Sequence, residues 1–207
     1  PWTLPARTLP ALADGATPYA VMATDPAGNV DADAATVTVD TTAPAVTADD
    51  AGPTTIPRPE LSGPVDDATA TIVVTVDGVD YPATNNGDGT WTLPAGTFPA
   101  LADGDTPYTV TATDPLGNTD SDTATVTVDT TAPAVTADDA GPTTNTSPEL
   151  SGTVDDPTAT IVVTIEGSDY PATNNGDGTW TLPAGTFPGL ADGDTPYTVT
   201  ATDPLGN

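Results

Sequence analysis

Carboxylates are the one abundant reactive group in this chain. Its 207 residues hold 30 acidic side chains, three of them Glu (Glu60, Glu149 and Glu166) and the other 27 Asp. Arg7 and Arg58 are the only basic residues, His and Cys are absent, and the formal net charge is -28. These absences exclude thiolate metal sites, disulfides and a Cys nucleophile. They also remove the usual general base and the commonest transition-metal ligand. The charge repels phosphates, so nucleic acid is not a partner. A solvated acidic surface is the plain reading, but surface charge alone would draw on Glu as well. Asp is favoured where a short carboxylate sits in a turn and points at the backbone or at a hard cation.

The elements that carry these carboxylates repeat. Asp-Thr-Thr-Ala-Pro-Ala-Val-Thr-Ala-Asp-Asp-Ala-Gly-Pro-Thr-Thr begins at Asp40 and again at Asp129, a step of 89 residues. Trp-Thr-Leu-Pro-Ala begins at Trp2, Trp91 and Trp180 at the same step, and stretches 40–118 and 129–207 differ at nine of 79 positions. This is a tandem array of one small domain. Residues 1–39 read as the C-terminal part of a repeat, 40–128 as a complete repeat, and 129–207 as a repeat without its last strand, as in a window on a longer protein. No apolar run in this stretch is long enough to span a membrane and no signal peptide is read in it; the start inside a repeat leaves room for a targeting segment outside this window.

Short alternating runs separated by turn residues, with no helical period, predict an all-β fold: seven-strand immunoglobulin-like sandwiches arranged end to end. In the complete repeat, strand A is expected at 43–48 and a loop at 49–59. Strand B follows at 60–65, C at 70–76, D at 80–84 and E at 90–93. After a long connection at 96–105 come F at 107–113 and G at 123–128. The inward residues are Leu61, Val65, Ile72, Val74, Val76, Trp91, Leu93, Tyr108, Val110, Ala112, Ala124, Val126 and Val128. Tyr108, near the start of strand F, suits a tyrosine corner.

This topology gathers acid at the ends of each sandwich. The end where the chain enters the last repeat carries Asp129, Asp155 and Asp156 in the B–C turn, Asp177 in D–E and Asp203 in F–G. Asp40, Asp66, Asp67 and Asp114 correspond in the repeat before it. The opposite end carries Asp49, Asp50, Asp103 and Asp105. Stacked end to end, these carboxylates repel one another unless a hard divalent cation with six to eight oxygen ligands joins them. Calcium at the junctions is therefore expected, with Asp40, Asp66, Asp67, Asp103, Asp105, Asp114, Asp129, Asp155, Asp156 and Asp203 as candidate ligands. Asn-Gly-Asp-Gly at 86–89 is read as a hairpin turn, since it lacks the spacing and closing Glu of an EF-hand.

Val-Asp-Thr-Thr-Ala-Pro at the repeat start, Leu-Ser-Gly-Thr-Val on strand B, Asn-Gly-Asp-Gly-Thr-Trp before E, Leu-Ala-Asp-Gly before F and Ala-Thr-Asp-Pro-Leu-Gly-Asn after it form a combined pattern. It resembles the bacterial Ig-like repeats of giant adhesins that leave the cell by type I secretion. The resemblance covers essentially the whole chain. It implies extender modules at the cell surface, in attachment, biofilm formation or anchoring. It also implies calcium at the junctions, at Asp40 and Asp129 in the linkers and Asp25, Asp114 and Asp203 in the F–G turns.

The expected function is thus a structural extender in an extracellular adhesin or fibre, with no enzymatic activity. Its partners are the neighbouring repeats and other copies in a fibre. Two other roles are weighed: a filament subunit completed by a strand from a neighbouring chain, and an accessory module of a secreted polysaccharide-active enzyme. Carboxylate pairs can cleave glycosides, but here every candidate pair recurs in each repeat and lies on turns. Sugar binding wants exposed aromatics, whereas Trp91 and Tyr108 are patterned as core. Asn145-Thr146-Ser147 is a glycosylation sequon.

Overall fold

A computed structural model describes residues 2–6 and 8–207; Pro1 and Arg7, one of the two cations, lie outside the described residues. Among the described residues there are fourteen strands and no helix. By compactness the chain divides into two units. One comprises Pro1–Asp49, Glu60–Pro94 and Pro107–Ala124, the other Asp50–Pro59, Ala95–Thr106 and Thr125–Asn207.

In the first unit, β1 (Gly15–Thr24) and β2 (Val30–Val39) form an antiparallel hairpin in unbroken register. Next along the chain come β3 (Ala51–Thr54), which belongs to the second unit, then β4 (Leu61–Pro64), β5 (Thr71–Val76), β6 (Val79–Asn85), β7 (Thr90–Leu93), β8 (Gly104–Thr113) and β9 (Thr119–Val128), the start of β8 and the end of β9 being counted in the second unit. Their order is β3-β9-β8-β5-β6-β7-β4. Strand β6 serves two neighbours: Val79, Asp80, Tyr81, Pro82 and Ala83 face β5, and Thr84 and Asn85 face β7. One strand thereby passes from one layer of the sandwich to the other. The tight β5–β6 turn puts Asp77 at φ 51°, as does its counterpart Glu166 at φ 48°, each followed by Gly, the arrangement a two-residue hairpin demands.

Alternation set the core as expected. Leu61, Val65, Ile72, Val74, Val76, Trp91, Leu93, Tyr108, Val110 and Ala112 of the first unit are buried, with Trp91 at 0% exposure. Ala124, Val126 and Val128 of β9 are buried too. The 96–105 connection also contributes core: Phe98 and Leu101 are buried. Backbone amides of Gly96 and Leu101 pin that segment by donating to Arg58 and Pro57 carbonyls.

Strand A departs from expectation. Residues 45–49 run against β4: Thr47 and Asp49 amides donate to Pro64 and Ser62 carbonyls, and the Asp66 amide to the Ala45 carbonyl. They form only an isolated bridge, Val46 to Val65; Pro64, opposite Thr47, has no N–H to return, and two of the strand's carbonyls accept from side chains. The Trp91 indole N–H donates to the Thr47 carbonyl at 2.9 Å, and the Tyr108 hydroxyl to the Asp49 carbonyl. Tyr108 is therefore no tyrosine corner; it ties strand F to a residue 59 positions earlier. The true edge strand β3 lies in the stretch expected to be loop, parallel to β9 through Ala51–Val126 and Thr54–Val128 pairs. Strands β8 and β9 also start earlier than alternation suggested, at Gly104 and Thr119.

In the second unit, β10 (Leu150–Thr153), β11 (Thr160–Ile165), β12 (Ser168–Asn174), β13 (Thr179–Leu182) and β14 (Tyr197–Thr202) take the order β10-β13-β12-β11-β14. Trp180, Leu182, Ile161, Val163 and Phe187 form its core, and the Trp180 indole again donates to the strand-A carbonyl, of Thr136, at 2.7 Å. Among the described residues no strand pairs with β14 as β9 does with β8. Residues 140–143, the counterpart of β3, accordingly form no strand, and Val199 is half-buried where Val110 is at 0%.

Candidate functional site

The short Asp side chain reaches backbone amides one to four residues away, which is why it concentrates in turns. The F–G turn shows this best. Asp114 Oδ1 accepts from Leu116 and Asn118 amides at 2.9 and 2.8 Å, and Oδ2 from Asn118 Nδ2 at 2.7 Å. Asp25 and Asp203 repeat this pattern with Asn29 and Asn207. Donors that favour the ionised form hold all three carboxyls below their ordinary value. The Asn side chain leads at Asp25 and Asp114; at Asp203 burial pushes upward and the Asn207 and turn donors outweigh it. Asp67 and Asp156 close the B–C turns by accepting from the amide and hydroxyl of Thr69 and Thr158. Asp177 and Asp88 do the same for Thr179 and Thr90 in D–E.

A second group replaces missing backbone partners of strand A. Asp66 and Asp155 accept from Ala45 and Ala134 amides at 2.7 and 2.8 Å. On β9, Asp120 and Asp122 stand two residues apart, the strand period that puts both on one face. They accept from Val46 and Ala48 amides at 3.4 and 3.0 Å. In the β1–β2 hairpin, the corresponding Asp31 and Asp33 accept only from the amides that follow them. Asp50 accepts from the Thr125 amide, and Asp105 from the Thr127 hydroxyl.

The third group lies at the linkers. Asp103, in the turn before β8, accepts from the amide and hydroxyl of Thr130 at 3.1 and 2.8 Å with Oδ1, and from the Thr131 hydroxyl with Oδ2. Asp129 Oδ1 accepts from the Thr131 amide at 3.2 Å, its own amide donates to the Thr54 carbonyl, and its carbonyl accepts from Asn207 Nδ2 at 3.0 Å. Asp14, Thr41, Thr42, Asp40 and Asn118 reproduce the carboxylate clamp and the Asn contact. Thr131 and then Thr130 hold the Asp103 carboxyl below its ordinary value, and Thr41 and then Thr42 do so for Asp14.

All ten expected ligands are thereby placed. Asp40, Asp66, Asp67, Asp103, Asp105, Asp114, Asp129, Asp155, Asp156 and Asp203 each accept hydrogen bonds from the protein. Among the described residues no three acidic side chains gather into a set able to hold a metal ion. As they stand, these residues form no preassembled calcium centre among the described residues. Sequence reasoning missed Asp14, Asp120, Asp122, the linker threonines and the Asn118 and Asn207 contacts. The signal within reach was the recurrence of Asp-Thr-Thr and of the Asp14 and Asp103 turn at one spacing. Among the described residues every buried side-chain nitrogen and oxygen has a partner.

The chain is similar to several solved structures. One is a tetra-tandem repeat from the extending region of a large adhesion protein, 28% identical over 95% of this chain and 55% of that one, TM-score 0.40. Another is the Ca2+-stabilised adhesin with which an Antarctic bacterium reaches out and binds ice, 23% identical over 92% and 56%, TM-score 0.42. A third belongs to a 1.5-MDa bacterial ice-binding adhesin, 23% identical over 94% and 71%, TM-score 0.44. The chain spans a little over half the length of the first two. No curated protein matches it. The family model described as bacterial Ig-like domain matches residues 45–130 and again 134–207, most of the sequence. The chain belongs to the bacterial Ig-like domain family.

Proposed function

We propose that this chain is a run of structural extender repeats from a cell-surface adhesin, with repeat boundaries at 40–128 and 129–207 and no catalytic role. One observation carries the reading: the same architecture is built repeatedly, and its chemically capable side chains are spent on holding it. Trp91 and Tyr108, the aromatics a sugar site would need exposed, are buried and bonded to strand A. The differences between 40–118 and 129–207 fall at positions 56–58, 64, 68, 76, 77, 79 and 100, in loops, at turns and on strand faces. A ligand bound repeat by repeat would have to use the shared acidic loops. A spacer has only to be long, soluble and well folded, and acidic turns and Pro-rich loops serve that. The test is deletion of one 89-residue unit from the parent protein. Reach should shorten by one module with binding per tip unchanged; loss of specific binding in proportion to repeats removed would show that the repeats themselves adhere.

Calcium uptake is a second proposal, carried by the charge and not by preassembled geometry. With a net charge of -28, a divalent cation relieves repulsion that a monovalent one only screens. Calcium should raise the melting temperature above that in sodium chloride of matched ionic strength; equal values would refute calcium uptake.

A further inference from the structure

The linker between repeats is tied from both sides. Thr130 and Thr131 leave β9 and are at once held by Asp103, which lies in the turn preceding β8 of the same repeat. The Asp129 amide donates to Thr54, also behind it. The Asp129 carbonyl instead accepts from Asn207, whose position is fixed by Asp203 in the F–G turn ahead. Asp129 Oδ1 closes a local turn on Thr131 between the two. The earlier linker has the same clamp and forward contact: Asp14 holds Thr41 and Thr42 from behind, Asp114 fixes Asn118 ahead, and Asn118 Nδ2 donates to the Asp40 carbonyl at 3.2 Å.

We propose that Asp-Thr-Thr is a metal-free buckle: a rear Asp clamps its two threonines while a forward Asn holds the carbonyl of its Asp, so that the linker is ordered without any cation. The inference rests on reading the chain as tandem repeats. Its chemistry depends on residue type. Only a carboxylate offers two acceptor oxygens that take one amide and two hydroxyls at once. Thr supplies the hydroxyl on a β-branched stem that restricts χ1, so the donor is already aimed. Asn suits the forward position because one side chain must donate twice: the two hydrogens of its amide N–H2 reach the linker carbonyl and Asp203 or Asp114. A cation at Asp103 would compete with its three donors instead of completing a vacant shell.

The test is residue-resolved amide hydrogen exchange on the whole chain, in chelator and in calcium. The Thr130 amide should exchange slower than in an unstructured peptide, by about tenfold or more, as a surface hydrogen bond under local opening allows. This protection should be the same in chelator and in calcium. Asp103→Ala should abolish it at Thr130 while leaving the amides of β5, in the repeat that carries Asp103, unchanged, which shows that the variant is folded. Asp129→Ala serves as a second variant and should free the Thr131 amide alone. Protection that appears only with calcium would overturn the proposal in favour of a metal-closed linker. Unchanged protection in Asp103→Ala would overturn the role of the clamp. Neither result bears on the extender reading, which the deletion experiment tests by itself.

Discussion

Replacing Trp91 with Phe separates the hydrogen bond of the indole from most of its packing. Trp91 is fully buried and its N–H donates to the Thr47 carbonyl at 2.9 Å. Phe fits the same space but leaves roughly 40 Å3 unfilled, which at ~24 cal/mol per Å3 costs about 1 kcal/mol. It also orphans a partly buried carbonyl at about 1–2 kcal/mol, the lower part of the usual range because water reaches strand A. The expected loss is about 2–3 kcal/mol, or about 30- to 150-fold in the opening equilibrium at 1.4 kcal/mol per tenfold. The assay is native-state hydrogen exchange of the slowest amides of β5, with those of β11 in the other repeat as internal standard. Exchange in β5 should accelerate by that factor while β11 stays within a few-fold. Acceleration of β5 under about fivefold would refute the view that the indole pins strand A. An equal acceleration of β11 would refute the independence of the repeats.

The glycines facing strand A give a second prediction. A Cβ at Gly63 would lie 2.1 Å from the Thr47 carbonyl oxygen, and one at Gly152 1.9 Å from that of Thr136. Gly63→Ala or Gly152→Ala should each cost about 1–3 kcal/mol in urea unfolding, and a neutral result would mean that strand A has room to retreat. Removing Asp122 as Asp122→Ala should speed exchange of the Ala48 amide selectively, leaving β5 unaffected; no change at Ala48 would show that the carboxylate is dispensable. Acid supplies another test. The folded-state pKa values of Asp14, Asp103 and Asp114 are lowered from 3.8 by Thr and Asn donors. The stability they add is therefore complete above about 3.8 and is lost as pH falls through the lowered values. The urea midpoint should be flat from about pH 7 to 5 and fall below about 3.8. Asp103→Asn and Asp114→Asn are compared with wild type, and each should flatten the fall; unaltered curves would contradict the assignment.

Much of the sandwich was legible because burial imposes a period of two. Ile72, Val74 and Val76 alternate with Val73 and Thr75, and Tyr108, Val110 and Ala112 with Thr109 and Thr111, and they face inward as written. What failed was structure that depends on a distant partner. Strand β3 is Ala-Gly-Pro-Thr, a loop by every local signal, and becomes a strand only beside β9. Phe98 and Leu101 are buried from an irregular segment that carries no period. The acid was legible as turn acid, and Asp67, Asp114, Asp156 and Asp203 do close turns. Its other duties were hidden by separation in sequence: Asp120 and Asp122 serve amides 74 residues away, and Asp103 serves threonines 27 and 28 residues away. Topology brings carboxylates to the same end of a sandwich, and their short reach gives each its own neighbouring donors.

The central claim is that these repeats provide length and nothing else. It is tested most directly by exchanging the whole array, in the parent protein on its own cells, for an unrelated chain of folded β-sandwiches of equal length. Attachment per cell should be restored to the level of the natural array, and a shorter unrelated spacer should fail in proportion to the missing length. If the equal-length substitute leaves cells unattached while the natural repeats support attachment, the repeats carry a binding surface and the extender account is wrong.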